Sequence, residues 1–372
     1  MARIGIDATS ILPNGKGLSR YEKNIVQSLS CLESEHEYFV FLNDSFRVNL
    51  SVKKSNWHFL PVPIWKTLFW EQLQLPCYAK KFKLDLIHHS LDRPSYLAEV
   101  PIVLFLFESP HSRSEWIPKR SKGKSWYIKM SHQLTQSVFP HTLRLAKRII
   151  VSSECTKTDL IENFQVSADK IRVIYPGCEE GFKPLLDTEA LLNIRRELGA
   201  PEGYILHFAT GDPRENTNLV LRAFQQARSR LPKGIKLVLA GGGAEAEALP
   251  EESIRLPFLT GERLITVFQG ARLYVDPSLY EGFGFQILEA MACGIPTIAT
   301  QCASVPEILG QAGFLVDPKD EDTFTERIIQ VLTNENLWNR MRHKGLERAK
   351  QFRWEKAARE TLFAYQEVLN EH

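Results

Sequence analysis

The 372-residue sequence predicts an α/β protein made of two doubly wound, Rossmann-like domains. Three observations point there. Short apolar runs alternate with helix-length amphipathic stretches along the whole chain. The runs lack the polar alternation of a half-exposed strand, as expected for parallel strands covered on both faces. The alternation also restarts after a Pro/Gly cluster between Tyr175 and Pro184, where a linker is expected. An apolar content of 44% and a charged content of 24% are those of a globular chain, and the length suits two cores better than one.

The first series of strands is expected at Ile4–Ala8, Tyr38–Leu42, His58–Val62, Leu86–His89, Ile102–Phe107 and Ile149–Ser152. A helix with regular apolar spacing follows the first of them, over Arg20–Leu32. The second series is expected at Arg172–Tyr175, Tyr204–Ala209, Lys236–Ala240, Leu273–Asp276, Thr297–Thr300 and Phe314–Val316, with a helix over Thr217–Arg230. From Trp338 to His372 the pattern is helical, and Arg353-Trp354-Glu355 opens the last helix. The resulting division is 1–178, 179–353 and a terminal helix over 354–372.

The net charge of +2 conceals an asymmetry. Residues 1–150 hold 21 Lys+Arg against 12 Asp+Glu, which leaves 25 against 32 for the remainder. A basic first half suits an anionic acceptor or an anionic membrane surface. Between residues 111 and 133, Arg113, Lys119, Arg120, Lys122, Lys124 and Lys129 alternate with Trp116, Trp126, Tyr127 and Met130, as in a segment lying at such an interface; a solvated loop with anchoring aromatics fits equally well. No nucleic-acid recognition module accompanies the charge, so nucleic acid is not an expected partner. The six cysteines form no Cys-x-x-Cys pair or zinc spacing and read as buried thiols of a reducing compartment. Met1-Ala2-Arg3 runs directly into a strand, so no leader is expected. No apolar run nears the ~20 residues of a membrane span. The expected location is cytoplasmic, or peripheral on the inner face of a membrane.

The most informative stretch runs from Pro277 to Pro296. Glu281 and Glu289 stand eight positions apart, with Gly282 and Gly284 between a strand-like and a helix-like run. Glycine there permits close approach of backbone to a ligand. The first N–H groups of the following helix find no partner inside it. Carboxylates that accept from sugar hydroxyls, beside amides that donate to oxygens, make a site for a hydroxyl-rich, phosphate-bearing molecule.

This stretch, Pro-Ser-x-Tyr-Glu-Gly-Phe-Gly followed by Leu-Glu-Ala-Met-Ala-x-Gly-x-Pro, resembles the Glu-x7-Glu motif of the retaining glycosyltransferases of family 4. Val305-Pro306-Glu307-Ile308-Leu309-Gly310, Leu315-Val316-Asp317-Pro318 and Phe352-Arg353-Trp354-Glu355 are also similar to that family. The resemblance implies the GT-B fold: two Rossmann-like domains facing across a cleft, with the C-terminal helix crossing back to the N-terminal domain. It implies a nucleotide-diphosphate sugar as substrate, bound by the C-terminal domain, and a carbohydrate or lipid-linked acceptor in the N-terminal domain. Glu281, Gly282, Phe283, Gly284, Phe285 and Glu289 would then bind the donor. Glu289 would accept from ribose hydroxyls and Glu281 from the transferred sugar.

Asn14-Gly15-Lys16-Gly17-Leu18-Ser19-Arg20-Tyr21 is similar to the family's Gly-x-Gly-x-x-Arg-Tyr, which points Gly17 at the diphosphate and places Arg20 on the acceptor side. Asp212-Pro213-Arg214-Glu215-Asn216 resembles the family's Pro-Arg-Lys-Asn, but Glu215 replaces the lysine that pairs with the diphosphate. The expectation is that Arg214 takes over, as a planar fork for phosphate, and Glu215 turns outward. Asn216 stands before a helix, where it either caps that helix or contacts the donor. Phe107 occupies the place of a family histidine beside the reacting sugar. Glu108 or His111 are the candidates to cover its role, and His88 is a further acceptor-side candidate. No metal or other cofactor is expected, from a reading of the chain as lacking an Asp-x-Asp pair. The reading is therefore a retaining, metal-independent hexosyl-type glycosyltransferase of polysaccharide or glycoconjugate synthesis, with Glu281, Arg214 and Glu108 as catalytic candidates. A sugar-nucleotide epimerase of the same fold and a silent nucleotide-sugar-binding subunit are the alternatives. A dinucleotide-dependent oxidoreductase fits less well, because the glycine fingerprint lacks its third member.

Overall fold

The computed structural model describes residues 1–13, 15, 17–46, 50, 52–64, 69–90, 97–109, 138–242 and 249–371. His111 and the basic, aromatic segment 111–133 lie outside the described residues. The chain divides into two compact units, Met1–Gly177 with Arg353–His372 and Cys178–Phe352.

The N-terminal unit holds β1 (Arg3–Asp7), α1 (Gly17–Cys31), β2 (Glu37–Asn43), β3 (Trp57–Val62), α2 (Leu75–Phe82), β4 (Leu86–His89), β5 (Ile102–Leu106), β6 (Arg148–Val151), α3 (Glu154–Phe164) and β7 (Ile171–Val173). Its seven strands form one sheet in the order β3-β2-β1-β4-β5-β6-β7, every pairing parallel. The order reverses between β1 and β4, which makes their carboxyl ends the ligand-receiving edge of such a sheet. β4 and β5 are buried at every residue, β5 as an unbroken apolar run and β4 with His88 and His89 buried beside Leu86 and Ile87. The sequence groups β7 with the second series of strands. The structure instead pairs it with β6, in the first sheet.

The C-terminal unit holds α4 (Thr188–Glu197), β8 (Tyr204–Phe208), α5 (Thr217–Ala227), β9 (Lys236–Ala240), β10 (Ser253–Leu256), α6 (Gly261–Gly270), β11 (Leu273–Asp276), α7 (Phe285–Ala292), β12 (Thr297–Thr300), α8 (Val305–Leu309), β13 (Phe314–Val316), α9 (Glu321–Thr333) and α10 (Glu335–Ala349). Its sheet, also all parallel, runs β10-β9-β8-β11-β12-β13 and reverses between β8 and β11. A core of Ile205, Leu219, Val220, Phe224, Leu237, Leu273, Val275, Ile298, Phe324 and Ile328 joins α5 and α9 to this sheet. Each such side chain contributes about 1.5–3 kcal/mol by leaving water.

The last helix, α11 (Trp354–Asn370), belongs to the N-terminal unit and packs on α1. Tyr365 is wholly buried, and its hydroxyl meets His88 Nδ1 at 2.8 Å. Arg172 Nε donates to Glu367 Oε2 at 3.0 Å, Arg148 Nε lies 3.5 Å from the same oxygen, and Arg148 also pairs with Glu371. Of the six cysteines, Cys31 and Cys77 are exposed and only Cys293 is fully buried, so the expectation of uniformly buried thiols is corrected. None of the described helices is long and apolar enough to cross a membrane.

Candidate functional site

The site of the C-terminal unit is built on the carboxyl end of β11. All four residues of that strand are buried, and it ends on Asp276, whose carboxylate accepts from the Tyr274 hydroxyl at 2.9 Å and from Ser278 N at 3.2 Å. The chain then turns through Glu281 and Gly282 to Gly284, which precedes α7 with φ +93°. A side chain is strained in that conformation, so glycine is the residue that fits, and no side chain caps the head of α7. The uncapped helix end favours an anion in front of it.

Glu281 is half-buried. Its Oε1 accepts from Ser278 Oγ at 3.2 Å, while its carbonyl accepts from Ser304 Oγ at 2.7 Å and Ser304 N at 3.3 Å. Ser304 thus fixes the backbone beneath the carboxylate. Thr300 Oγ1 and Cys302 Sγ both donate to Ser278 O, which ties the same turn to β12. Glu289 lies in α7 and is 1% exposed. The Tyr274 phenol is buried beside Asp276. Burial pushes it well above its usual range, and Asp276, Glu281 and Glu289 all add to the rise. Glu281 thus lies in the turn that leaves β11, and Glu289 inside α7. Phe283 is 2% exposed and packs edge-on against Phe285, at 5.1 Å between ring centres, so its side chain serves the core.

The β8 side of the same edge carries the loop 210–216. Leu279 N donates to Arg214 O at 2.7 Å, and Asn216 Nδ2 to Pro277 O at 3.3 Å, which lays the two loops side by side. Asn216 takes a left-handed conformation (φ 49°) and makes no side-chain cap, so of the two expected roles the capping one is absent. Arg214 is clasped by Asp212, with Nη2 2.8 Å from Oδ2. Glu215 does not turn outward. It bends back over its own loop and accepts from Thr210 N at 2.7 Å and Gly211 N at 3.2 Å. The reason is local: those amides lie past the end of β8 and a carboxylate within reach satisfies them. Sequence reasoning also missed His207, 2% exposed on β8, whose ring bridges Val275 O (3.2 Å) and Thr217 Oγ1 (3.0 Å). Burial lowers it to about 4, against the pull of Asp276, so it is neutral near pH 7. A lone histidine in the apolar run Tyr204–Phe208 was the available signal.

In the N-terminal unit, Gly17 is the first residue of α1, and a Cβ there would meet nothing within 4 Å. Arg20 is half-buried on the same helix. His88 is 1% exposed, with Tyr21 on one side and Tyr365 on the other. Burial lowers it to about 3, with His89 adding to the fall. It is thereby a neutral core residue in this structure. Phe107 sits edge-on to Tyr21 at 5.7 Å and to Phe105 at 4.8 Å, so an aromatic contact replaces a polar one; Glu108, beside it, is half-buried.

The sequence did not single out the polar cluster at the carboxyl ends of β1 and β4. Asp7 accepts from Thr9 Oγ1 at 2.7 Å and Trp70 Nε1 at 3.1 Å, and lies 3.0 Å from His89 Nδ1. Glu22, 2% exposed on α1, is close enough to feel the charge of Asp7. Burial holds its carboxyl well above the usual range, and Asp7 adds to this against hydrogen bonds from Ser10 and Ser90. A raised carboxyl contributes stability that is complete below the unfolded value, about 4.3, and is lost as pH rises through the folded value. Glu22→Gln is therefore expected to gain Tm relative to the natural protein at about pH 8 more than at about pH 5. Parallel Tm curves across that range would contradict this.

Among the described residues no group of three or more His, Cys, Asp or Glu is arranged to hold a metal ion. Against the expectation from sequence, the chain does carry an Asp-x-Asp sequence, Asp320-Glu321-Asp322. It opens α9, where Asp320 accepts from Thr323 N at 2.9 Å as a helix cap.

Two parallel Rossmann-like sheets, an acid pair at the head of α7 and a terminal helix returned to the first unit define a GT-B protein of the glycosyltransferase type. The model of glycosyltransferase family 4 matches residues 3–181, and that of glycosyl transferases group 1 matches residues 193–348. The chain belongs to this family. It is 34% identical over 238 residues to O-antigen chain mannosyltransferase B of Escherichia coli, a match covering 60% of this chain and 61% of that protein. The chain thus spans about three fifths of that relative's length. Its fold is similar to sucrose-phosphate synthase from Thermosynechococcus elongatus (TM-score 0.77, 19% identity, all of both chains). It is also similar to HepE of Anabaena in complex with UDP-glucose (TM-score 0.73, 16% identity, 99% of this chain and 100% of that one).

Proposed function

We propose that this protein is a retaining glycosyltransferase that moves a hexose, mannose by analogy with its Escherichia coli relative, from a nucleotide-diphosphate sugar to a hydroxyl of a polysaccharide or lipid-linked acceptor. The observation that carries the reading is the placing of Glu281 in the turn before the glycine-headed α7 and of Glu289 within that helix, just past β11 on the edge where the sheet order reverses. The C-terminal unit binds the donor there. Glu281 accepts from hydroxyls of the transferred sugar, and the head of α7 faces the diphosphate. Glu289 accepts from the ribose hydroxyls, which requires the head of α7 to open, since its carboxylate is 1% exposed here. Arg214 takes part of the diphosphate charge. The diphosphate departs with the bonding electrons, an oxocarbenium-like centre develops, and the acceptor oxygen attacks from the same face as it passes its proton to the departing diphosphate oxygen. The glutamates position the sugar and form no bond to it. No metal is assigned a role in this proposal. The N-terminal unit receives the acceptor, with Arg20 and Glu108 as its polar candidates. Its excess of Lys and Arg supports a cytoplasmic protein in peripheral contact with an anionic membrane.

A thermal-shift panel of UDP-, GDP-, ADP- and TDP-hexoses tests the reading. At a hundred times its Kd, one of them is expected to stabilise the protein by about 2.7 kcal/mol. A panel that leaves Tm unmoved throughout would overturn it.

A further inference from the structure

The loop between β8 and α5 carries an anion of its own. Thr210 N and Gly211 N, consecutive amides just past β8, converge on one oxygen of Glu215, and Thr210 Oγ1 donates to the other. Successive N–H groups aimed at one point form an anion-binding concavity. Gly211, with φ +88°, supplies the turn. Beside it, Arg214 presents Nε and Nη2 to Asp212. The bonds from Leu279 and Asn216 hold this loop against the Glu281 turn, at the β8/β11 edge where the sheet order reverses. At the place where such a sheet receives a ligand, the chain answers its own amides and its own guanidinium with carboxylates.

We infer that Glu215 sets the affinity for the sugar nucleotide: its carboxylate occupies the paired amides of Thr210 and Gly211, and the donor's diphosphate reaches them only when that carboxylate is displaced or protonated. This deepens the proposed transferase reading and rests on it. Two anions cannot share one amide pair without strong repulsion, so the side chain and the diphosphate compete. The charged and titratable groups on the elements packed here are Asp212 and Arg214 on the loop itself, Asp276 at the end of β11, Glu281 on the turn after it, and His207 on β8. Burial raises Glu215, and Asp212 adds to the rise against the hydrogen bonds from Thr210 and Gly211. Its protonation therefore begins nearer to neutral pH than that of an exposed glutamate, whereas His207 is held at about 4. Donor binding strengthens as pH falls and the Glu215 charge is lost.

The test is titration calorimetry of the full chain with UDP-, GDP-, ADP- and TDP-hexoses, for the natural protein, Glu215→Gln and Glu215→Ala, at several pH values. Glu215→Gln is expected to bind its sugar nucleotide about tenfold more tightly at neutral pH and to lose the pH dependence of the natural protein. Glu215→Ala is expected to bind more tightly as well, with a lower Tm from the lost loop bonds. If the natural protein binds a sugar nucleotide and both variants bind equally or more weakly with the same pH profile, Glu215 is only a loop brace and the inference is overturned while the transferase reading stands. If none of the three proteins binds any sugar nucleotide, the reading of the site falls and the inference falls with it.

Discussion

Glu281→Ala is expected to lower kcat for sugar transfer roughly a hundredfold or more, with a much smaller change in Tm. The size follows from its task. A group that holds the transferred sugar in its reacting geometry is felt chiefly in the rate, and a misplacement of about 1 Å costs on the order of a hundredfold. The stability effect is small because the turn does not depend on this side chain. The Glu281 carbonyl is held by Ser304, and Ser278 O by Thr300 and Cys302, whatever the side chain is. Ser278→Ala, which removes the hydroxyl that steadies Oε1, is expected to cost about tenfold. Initial rates with the sugar nucleotide found by thermal shift measure both. A Glu281→Ala enzyme within about threefold of the natural rate would remove this residue from the sugar's neighbourhood.

The sequence revealed what burial on both faces imposes. β5 appears as an unbroken apolar run because parallel interior strands have no wet face, and the polar residues of β4, β11 and β12 are buried with the rest. β10 was not seen, since Ser253-Ile254-Arg255-Leu256 lies at the edge of its sheet and is largely half-buried. β7 was assigned to the wrong series because three residues at a sheet edge, ahead of a Pro/Gly linker, do not reveal which neighbour they pair with. The Glu281–Gly284 turn was legible because its residue types and spacing are local. The direction of Glu215 was not, since it depends on where two amides five and four positions earlier point. The Asp7–His89 pair was hidden for another reason. Its members are 82 positions apart in the chain and meet only because β1 and β4 are neighbours across the reversal of strand order.

That pair gives the largest expected stability effect. Asp7 gathers Thr9 N, Thr9 Oγ1, Trp70 Nε1 and His89 Nδ1 around one carboxylate that is 2% exposed. Asp7→Ala leaves the indole N–H of a wholly buried Trp70 and the ring of a wholly buried His89 without that acceptor. Leaving these buried donors without their acceptor, at about 1–3 kcal/mol each, costs roughly 3–5 kcal/mol in all. For a unit of this size that is a fall in Tm of roughly 6–20 °C. Burial alone would raise Asp7, yet His89, Thr9 and Trp70 together hold it below its usual value. A lowered carboxyl contributes stability that is present above the unfolded value, about 3.9, and is lost as pH falls through the folded one. The deficit of Asp7→Ala should therefore be full at neutral pH and shrink in acid. Asp7→Asn, which keeps an acceptor oxygen but no charge, should lie between the two. Calorimetric scans of the three proteins from about pH 7 down to about pH 3.5 decide the matter. A neutral-pH loss of less than about 2 °C for Asp7→Ala would mean that the carboxylate is not what holds β1, β4 and Trp70 together.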